Sequence, residues 1–489
     1  MSFNFRVIIR ILGILLVMNG AFMLTSIPFS LYYGEGDFWA IIVSAMITAV
    51  SGIIMWVFTR NSNQGNANNE LKKRDGYLIV TFGWLSMSFF GSLPYLLSGA
   101  IPNLTDAFFE TLSGFSTTGA TILTDIESID KGILFWRSLT QWIGGMGIIV
   151  LTVAILPILG IGGMQLFVAE APGISPDKLQ PRIKETAKRL WMIYLGLTLA
   201  ETALLWLGGM NFYDAINHAL TTMATGGFST KNASIAYFTS PFIQYVIIIF
   251  MFLAGTNFTM TYFALHKNFK KVLDNEEFRV YSGLVIVTSI VVGLVIFNVT
   301  DDGFEKSIRD GLFQVVSVVT TTGYITEDYT AWAPFVTVLF VVLMFIGASA
   351  GSTAGGVKVI RHSILIKNSF MELKRQLHPK AVIPVRLNGK AVSQDITFNI
   401  LAFIMIYIAI FAAGSMVMGM FGADFDTAIG SVATCLGNIG PGIGEVGPVD
   451  NFAGISAPGK WLLAFLMLLG RLELFTVLML FTPYFWKSH

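Results

Sequence analysis

The sequence predicts an all-α integral membrane protein: four pseudo-repeats of helix, short pore helix, filter loop and helix around one central pore, plus two extra N-terminal transmembrane helices, about ten spans in all. Three observations predict it. Hydrophobic residues fill 54% of the 489 positions and charged residues only 12%, against roughly 25% charged in a soluble domain. Apolar runs long enough to cross a bilayer, about 20 residues each, recur along the chain. Between them lie four shorter stretches that share one pattern and end in a polar, glycine-bearing segment.

The apolar runs fall near 7–32, 38–58, 76–98, 134–163, 188–208, 241–265, 279–298, 332–365, 393–418 and 460–484. The first is too long for a signal-peptide core and lacks a small-residue cleavage site, so no cleavable signal is expected. Basic residues set the orientation. The termini and the loops 60–75, 166–190, 266–279 and 358–390 carry 24 of the 31 Lys and Arg. The opposite loops carry six, and Arg471 falls inside a span. Both termini are therefore expected in the cytoplasm. The opposite loops hold 18 of the 30 acids. A negative mouth would concentrate cations, although the basic bias alone leaves acids outside by default.

Four segments align in register: 106–121 DAFFETLSGFSTTGAT, 214–230 DAINHALTTMATGGFST, 310–326 DGLFQVVSVVTTTGYIT and 427–443 TAIGSVATCLGNIGPGI. The alignment superimposes Gly119, Gly227, Gly323 and Gly440. Thirteen residues earlier stand Asp106, Asp214, Asp310 and Thr427, each a good helix N-cap. Two residues before the glycine stand Thr117, Thr225, Thr321 and Asn438. Each segment reads as a helix too short to span, then an extended loop. Non-helical backbone at membrane depth survives only when buried in protein or facing water. Four such loops must then share an axis. Glycine permits the backbone angles that turn carbonyls toward that axis. Rings of carbonyl oxygens can replace the hydration shell of an alkali cation, and the short helices aim their partially negative C-termini at it. One such loop alone reads more readily as an external hairpin packed as a lid; four in register point to a pore. The implied organisation is 1–75 for two N-terminal helices, 76–165 for repeat one, 166–187 for a cytoplasmic linker and 188–265 for repeat two. Repeat three follows at 266–367, a cytoplasmic loop at 368–392 and repeat four at 393–489.

Other chemistry is sparse. Cys435 is the single cysteine, and the five histidines lack ligand spacing, which excludes multi-cysteine metal sites. No catalytic cluster and no phosphate-binding loop occurs, so the chain is not expected to be an enzyme or to bind nucleic acid. No cofactor is expected on it. Glu110 reads as a packing acid rather than a vestibule charge, His218 as a packed polar residue, and Cys435 as a small apolar packer. The stretch Gly347, Ala348, Ser349, Ala350, Gly351, Ser352, Thr353, Ala354, Gly355 and Gly356 interrupts the eighth run. Its glycines recur every four residues, which fits close helix packing. That packing is the reading the spacing favours; the other is a polar loop that blocks a pathway and moves aside. Arg471 needs a partner or a cavity, since a mid-membrane charge costs at least ~2.5 kcal/mol. Either it pairs with Glu473 or Glu201, or it faces the ion path.

Certain motifs carry a family resemblance. TTGAT at 117–121, ATGGFST at 224–230, TTTGYIT at 320–326, GNIGPG at 437–442, GASAGSTAGGVK at 347–358 and GRLELFT at 470–476 resemble the TrkH/TrkG/KtrB/HKT superfamily of potassium transporters. The likeness covers nearly the whole chain. The two helices before the first repeat place it nearest the TrkH branch. The resemblance implies potassium uptake across a bacterial cytoplasmic membrane by a homodimer, each subunit holding its own fourfold pseudosymmetric pore. It implies a cytosolic, nucleotide-binding regulatory partner of the TrkA type, with the nucleotide on that partner. It implies potassium-binding filter residues at Thr117, Thr118, Gly119, Thr225, Gly226, Gly227, Thr321, Thr322, Gly323, Asn438, Ile439 and Gly440. It favours the mobile-loop reading of 347–356, with Arg471 beside it. Asn438 and Ile439 depart from the threonine- and glycine-rich pattern, so potassium and rubidium are expected to pass with only moderate exclusion of sodium. A proton- or sodium-coupled symporter is the alternative; few ionisable residues stand mid-span to serve it.

Overall fold

The computed structural model describes residues 3–59, 73–147, 183–381 and 383–487. Most of the loop expected at 60–75, the far end of the run 134–163 and most of the linker 166–187 lie outside the described residues. What is described is mostly helical.

The N-terminal helices form a hairpin. α1 (Phe5–Met23) continues through one tight turn into α2 (Ile27–Tyr33), and α3 (Phe38–Phe58) returns against it. Gly13 and Gly20 let the backbones meet. A β-carbon on either would stand 2.7 and 2.8 Å from the carbonyls of Gly52 and Ala45, the close approach that small residues allow between membrane helices.

Four repeats follow. Repeat one comprises α4 (Lys73–Gly91), α5 (Leu93–Ser98), the short helix α6 (Leu104–Phe115) and α7 (Lys131–Gly145). Repeat two has α8 (Ile183–Leu207), short α9 (Phe212–Met223), α10 (Pro241–Gly255) and α11 (Phe258–Leu265), with a connecting turn α12 (Phe269–Leu273). Repeat three has α13 (Glu276–Val299), short α14 (Phe304–Val319), α15 (Pro334–Leu343) and α16 (Val359–Leu377). A two-residue hairpin of β1 (Arg386–Leu387) and β2 (Lys390–Ala391) leads to repeat four. That repeat has α17 (Gln394–Met420), short α18 (Phe425–Gly437), α19 (Ala457–Arg471), α20 (Phe475–Leu478) and the terminal turn α21 (Pro483–Trp486).

Several of the apolar runs are broken rather than straight. Among the described residues six helices are long and apolar enough to cross a membrane, and two more candidates are bent pairs. α10 and α11 meet at 112°, and α19 meets the following turns at 111°. At the first bend Asn257 leaves the helix and caps α11 through the Thr259 amide, 2.8 Å away. At the second, Glu473 and Leu474 both adopt left-handed angles, φ +55° and +54°. The run 332–365 holds a ten-residue helix, α15, and then non-helical chain to Lys358.

One expectation needs correction, that of the caps. The short helices begin earlier than Asp106, Asp214, Asp310 and Thr427. Asn103, Asn211 and Asp424 are the N-caps, accepting from the amides of Thr105, Asp214 and Thr427 at 2.9, 2.7 and 3.1 Å. Asp106 and Asp214 sit in the first turn, where the helix dipole favours an acid. α14 starts at Gly303 without a side-chain cap, and Asp310 lies well inside it.

Candidate functional site

The four loops share an unusual backbone. Thr117, Thr225, Thr321 and Asn438 have φ of +54°, +52°, +58° and +54°. The glycines two residues on, Gly119, Gly227, Gly323 and Gly440, have φ of +79°, +76°, +79° and +106°. Threonine rarely adopts left-handed angles, and holding it there costs of order 1–3 kcal/mol. The same left-handed conformation recurs in register in all four repeats, with Asn438, which tolerates it, in the fourth, so one geometric demand shapes them all.

The glycines also show how the loops meet. A β-carbon on Gly119 would collide with the carbonyl oxygen of Gly226. One on Gly227 would collide with that of Thr322, and one on Gly323 with that of Ile439. On Gly440 it would stand 2.9 Å from the Thr118 oxygen. Each glycine thus abuts the residue preceding the glycine of the next repeat, and the fourth returns to the first. The order is cyclic and closed: four carbonyls and four glycines form one ring. The short helices end immediately before it, at Phe115, Met223, Val319 and Gly437, so their C-terminal dipoles converge beneath it. No acidic side chain lies in the ring itself.

Each loop is braced from behind, by different chemistry. Thr118 contacts the Ser116 hydroxyl at 2.7 Å, and Thr322 contacts that of Thr320 at 2.8 Å. Thr434 donates to the carbonyl of Gly440 at 2.6 Å. Beyond the first glycine, Glu110 accepts from Thr121 and from the Ile122 amide, each at 2.9 Å, and from Arg137 Nε at 2.7 Å. Arg137 carries this brace to repeat two, donating to the Ser229 carbonyl at 3.0 Å and stacking 3.6 Å over Phe228. Glu110 is thus a buried ion-pair partner. His218 bonds Asp214 O at 2.7 Å and Ser229 Oγ at 2.9 Å. Tyr324 donates to the His218 carbonyl at 3.0 Å, tying the third loop to the second short helix. Cys435 is fully buried.

The segment 347–358 lies against the helix-C-terminal side of the ring. Its ends pair with each other: Gly347 N donates to Val357 O at 2.8 Å, and Val359 N to Ala348 O at 3.1 Å. Its middle is fastened to the broken end of α10. Ser349 N donates to Gly255 O at 3.0 Å, and Phe258 N donates to Gly351 O at 3.1 Å. The Ala350 amide donates to Glu277 at 2.6 Å, and Ser352 Oγ to the Ser349 carbonyl at 2.6 Å. The segment then reaches the base of the loops. Thr353 Oγ1 donates to the Met223 carbonyl at 3.0 Å. Gly355 N donates to Thr321 Oγ1 at 2.7 Å. A β-carbon on Gly355 would stand 2.7 Å from Asn438 Cβ. Lys358 Nζ donates to the carbonyls of Ala354 and Gly355, and Gly356 takes φ +64° at the turn.

Arg471 completes the contact with repeat one. Its Nη1 donates to Thr117 Oγ1 at 3.1 Å and to the Thr353 carbonyl at 2.8 Å. Its Nη2 donates to the carbonyls of Gly144 and Gly145. Glu473, one of its two suggested partners, pairs instead with Arg361. Glu201, the other, is buried beside Thr222 of α9. Through Thr353 and Gly355 the segment therefore reaches repeats two, three and four just below the ring, and Arg471 links it to repeat one.

One residue escaped the sequence reading. Gln141 of α7 donates from Nε2 to the Gly226 carbonyl at 2.6 Å and accepts from the Phe228 amide at 3.0 Å. An amide inside the apolar run SLTQWIGG, and a doubled glycine found in the second loop alone, were the signals available.

Known proteins match this architecture. The family model TrkH, described as cation transport protein, matches residues 44–488. The Trk system potassium uptake protein TrkH of Salmonella typhimurium is 42% identical over 490 residues, covering 99% of this chain and all of that protein. Its counterpart in Escherichia coli K12 is also 42% identical, with the same coverage. The crystal structure of the potassium transporter TrkH from Vibrio parahaemolyticus superimposes with a TM-score of 0.87 at 38% identity, over 99% of this chain and 100% of that one. The chain therefore belongs to the TrkH family of cation transport proteins.

Proposed function

We propose that this chain conducts potassium across the bacterial cytoplasmic membrane, with both termini in the cytoplasm, through the ring formed by its four loops. The observation that carries the reading is the closed cyclic contact of four glycines with four carbonyls. Carbonyl oxygens on a common axis can replace the water around a dehydrated alkali cation. The converging helix C-termini add negative potential without a fixed charge that would bind the ion too tightly. The names of the relatives supply the ion.

The segment 347–356 serves as the gate. What supports that role is its bonding to repeats two and three and to Arg471 of repeat four, which in turn bonds to repeat one, and its being non-helical chain held largely by single hydrogen bonds. A net intramolecular hydrogen bond is worth only about 0.5–1.5 kcal/mol, so a modest input can release it. That input comes from a nucleotide-binding cytosolic partner of the TrkA type, acting on the homodimer from the side of the basic helix α16. The test is ion flux in proteoliposomes. Gly323→Ser places a side chain against the Ile439 carbonyl, and the preference for potassium over sodium falls. An unchanged preference in a folded variant would remove the ring as the filter.

A further inference from the structure

Three loops of the ring place a side chain immediately before the glycine: Thr118, Thr322 and Ile439. The second loop places Gly226 there. The difference has a physical cause. A β-carbon on Gly226 would overlap the amide of Gln141, with Nε2 only 2.8 Å away. Gln141 comes from α7 of repeat one, is fully buried, and straddles Gly227 by its two hydrogen bonds to Gly226 O and Phe228 N. Loops one and three steady the equivalent residue with a hydroxyl of their own, Ser116 on Thr118 and Thr320 on Thr322. Loop two has no side chain there to steady, and a neighbouring repeat supplies the amide instead.

We propose that Gln141 is a specificity-positioning residue for ion conduction, acting as one unit with Gly226 to hold the second carbonyl of the ring. A carbonyl oxygen has two lone pairs. One takes the Gln141 donor; the other stays available to the ion. The bond fixes where that oxygen stands and draws electron density from it, so this quadrant coordinates differently from the other three. The assignment rests on the ring being the filter, and its test separates the two claims.

The experiment compares full-length variants in proteoliposomes by reversal potential under opposed potassium and sodium gradients. Gln141→Leu has similar volume and loses both bonds. With the equivalent of one buried hydrogen bond lost, the potassium-to-sodium permeability ratio drops about two- to twelve-fold. Gln141→Glu keeps the acceptor for Phe228 and donates to Gly226 only when protonated, so its ratio recovers toward that of the unaltered protein as pH falls. A purely structural role would lower yield and total flux and leave the ratio unchanged, which would overturn the proposal. Should Gln141→Leu fail to fold, the pair decides. Gly226→Thr alone collides with the amide, whereas Gly226→Thr with Gln141→Ala removes the collision, places a threonine before the glycine as in loop one, and regains yield and selectivity. No recovery in the double variant would overturn the proposal. Gly323→Ser is run in parallel. If it shifts the ratio and Gln141→Leu does not, the filter stands and the Gln141 assignment falls. If neither shifts it, both fall.

Discussion

Replacing Arg471 by glutamine removes one positive charge from the base of the ring and keeps a side-chain amide able to donate. Nη1 lies 3.1 Å from Thr117 Oγ1. A cation held at that hydroxyl would sit about 6 Å from the charge, where repulsion is worth about 3 kcal/mol at an effective dielectric near 20 and under about 1 kcal/mol in bulk water. Arg471 is half-buried, so the true figure lies between those limits. A difference of about 1–3 kcal/mol corresponds to roughly 5- to 150-fold in the ease of placing an ion there. Arg471 also donates to the Thr353 carbonyl, so its removal frees one point of the segment 347–356. Both effects raise conduction. The assay is single-channel recording in planar bilayers without a regulatory partner, with folded protein counted by size-exclusion yield. Arg471→Lys, which keeps the charge and loses the planar fork, separates the two: current stays low if charge dominates and rises if the hydrogen bonds dominate. Unchanged unitary current and open probability in a well-folded Arg471→Gln variant would refute the reasoning and leave Arg471 a structural tie.

Other outcomes follow from the same contacts. Shortening 347–356 by four residues raises basal flux without a partner, because the ties to Thr321, Met223 and Arg471 are lost together; stopped-flow rubidium or thallium flux measures it. Thr353→Ala, losing two hydroxyl bonds to the carbonyls of Met223 and Ala254, gives a smaller rise in the same assay. Arg137→Met leaves Glu110 buried without its cation, a loss of about 3–5 kcal/mol. Its thermal unfolding midpoint in detergent falls, and Glu110→Gln with Arg137→Met recovers most of it. Tyr324→Phe removes the bond to the His218 carbonyl and costs about 1 kcal/mol, read as a modest midpoint shift with folding intact.

The sequence by itself determined the solvent, the number of repeats and the register of the loops. Those features are local or compositional: a low charge content admits only lipid, and a backbone position at positive φ with no room for a β-carbon demands glycine. Thus Gly119, Gly227, Gly323 and Gly440 could be aligned before any contact was known. The caps were misplaced because Asn103 and Asn211 compete with the acids three residues on, and only helix geometry ranks them. The cyclic closure, in which the glycine of one repeat meets a carbonyl of the next, was decided by tertiary structure alone. So were the seat of 347–356 beneath the ring, the transfer of Glu473 to Arg361, and the pairing of Gln141 with Gly226. Each joins residues from about 30 to more than 300 positions apart in the chain, and no local periodicity records such a meeting. A glycine announces that something stands close to it; only the packed chain says what.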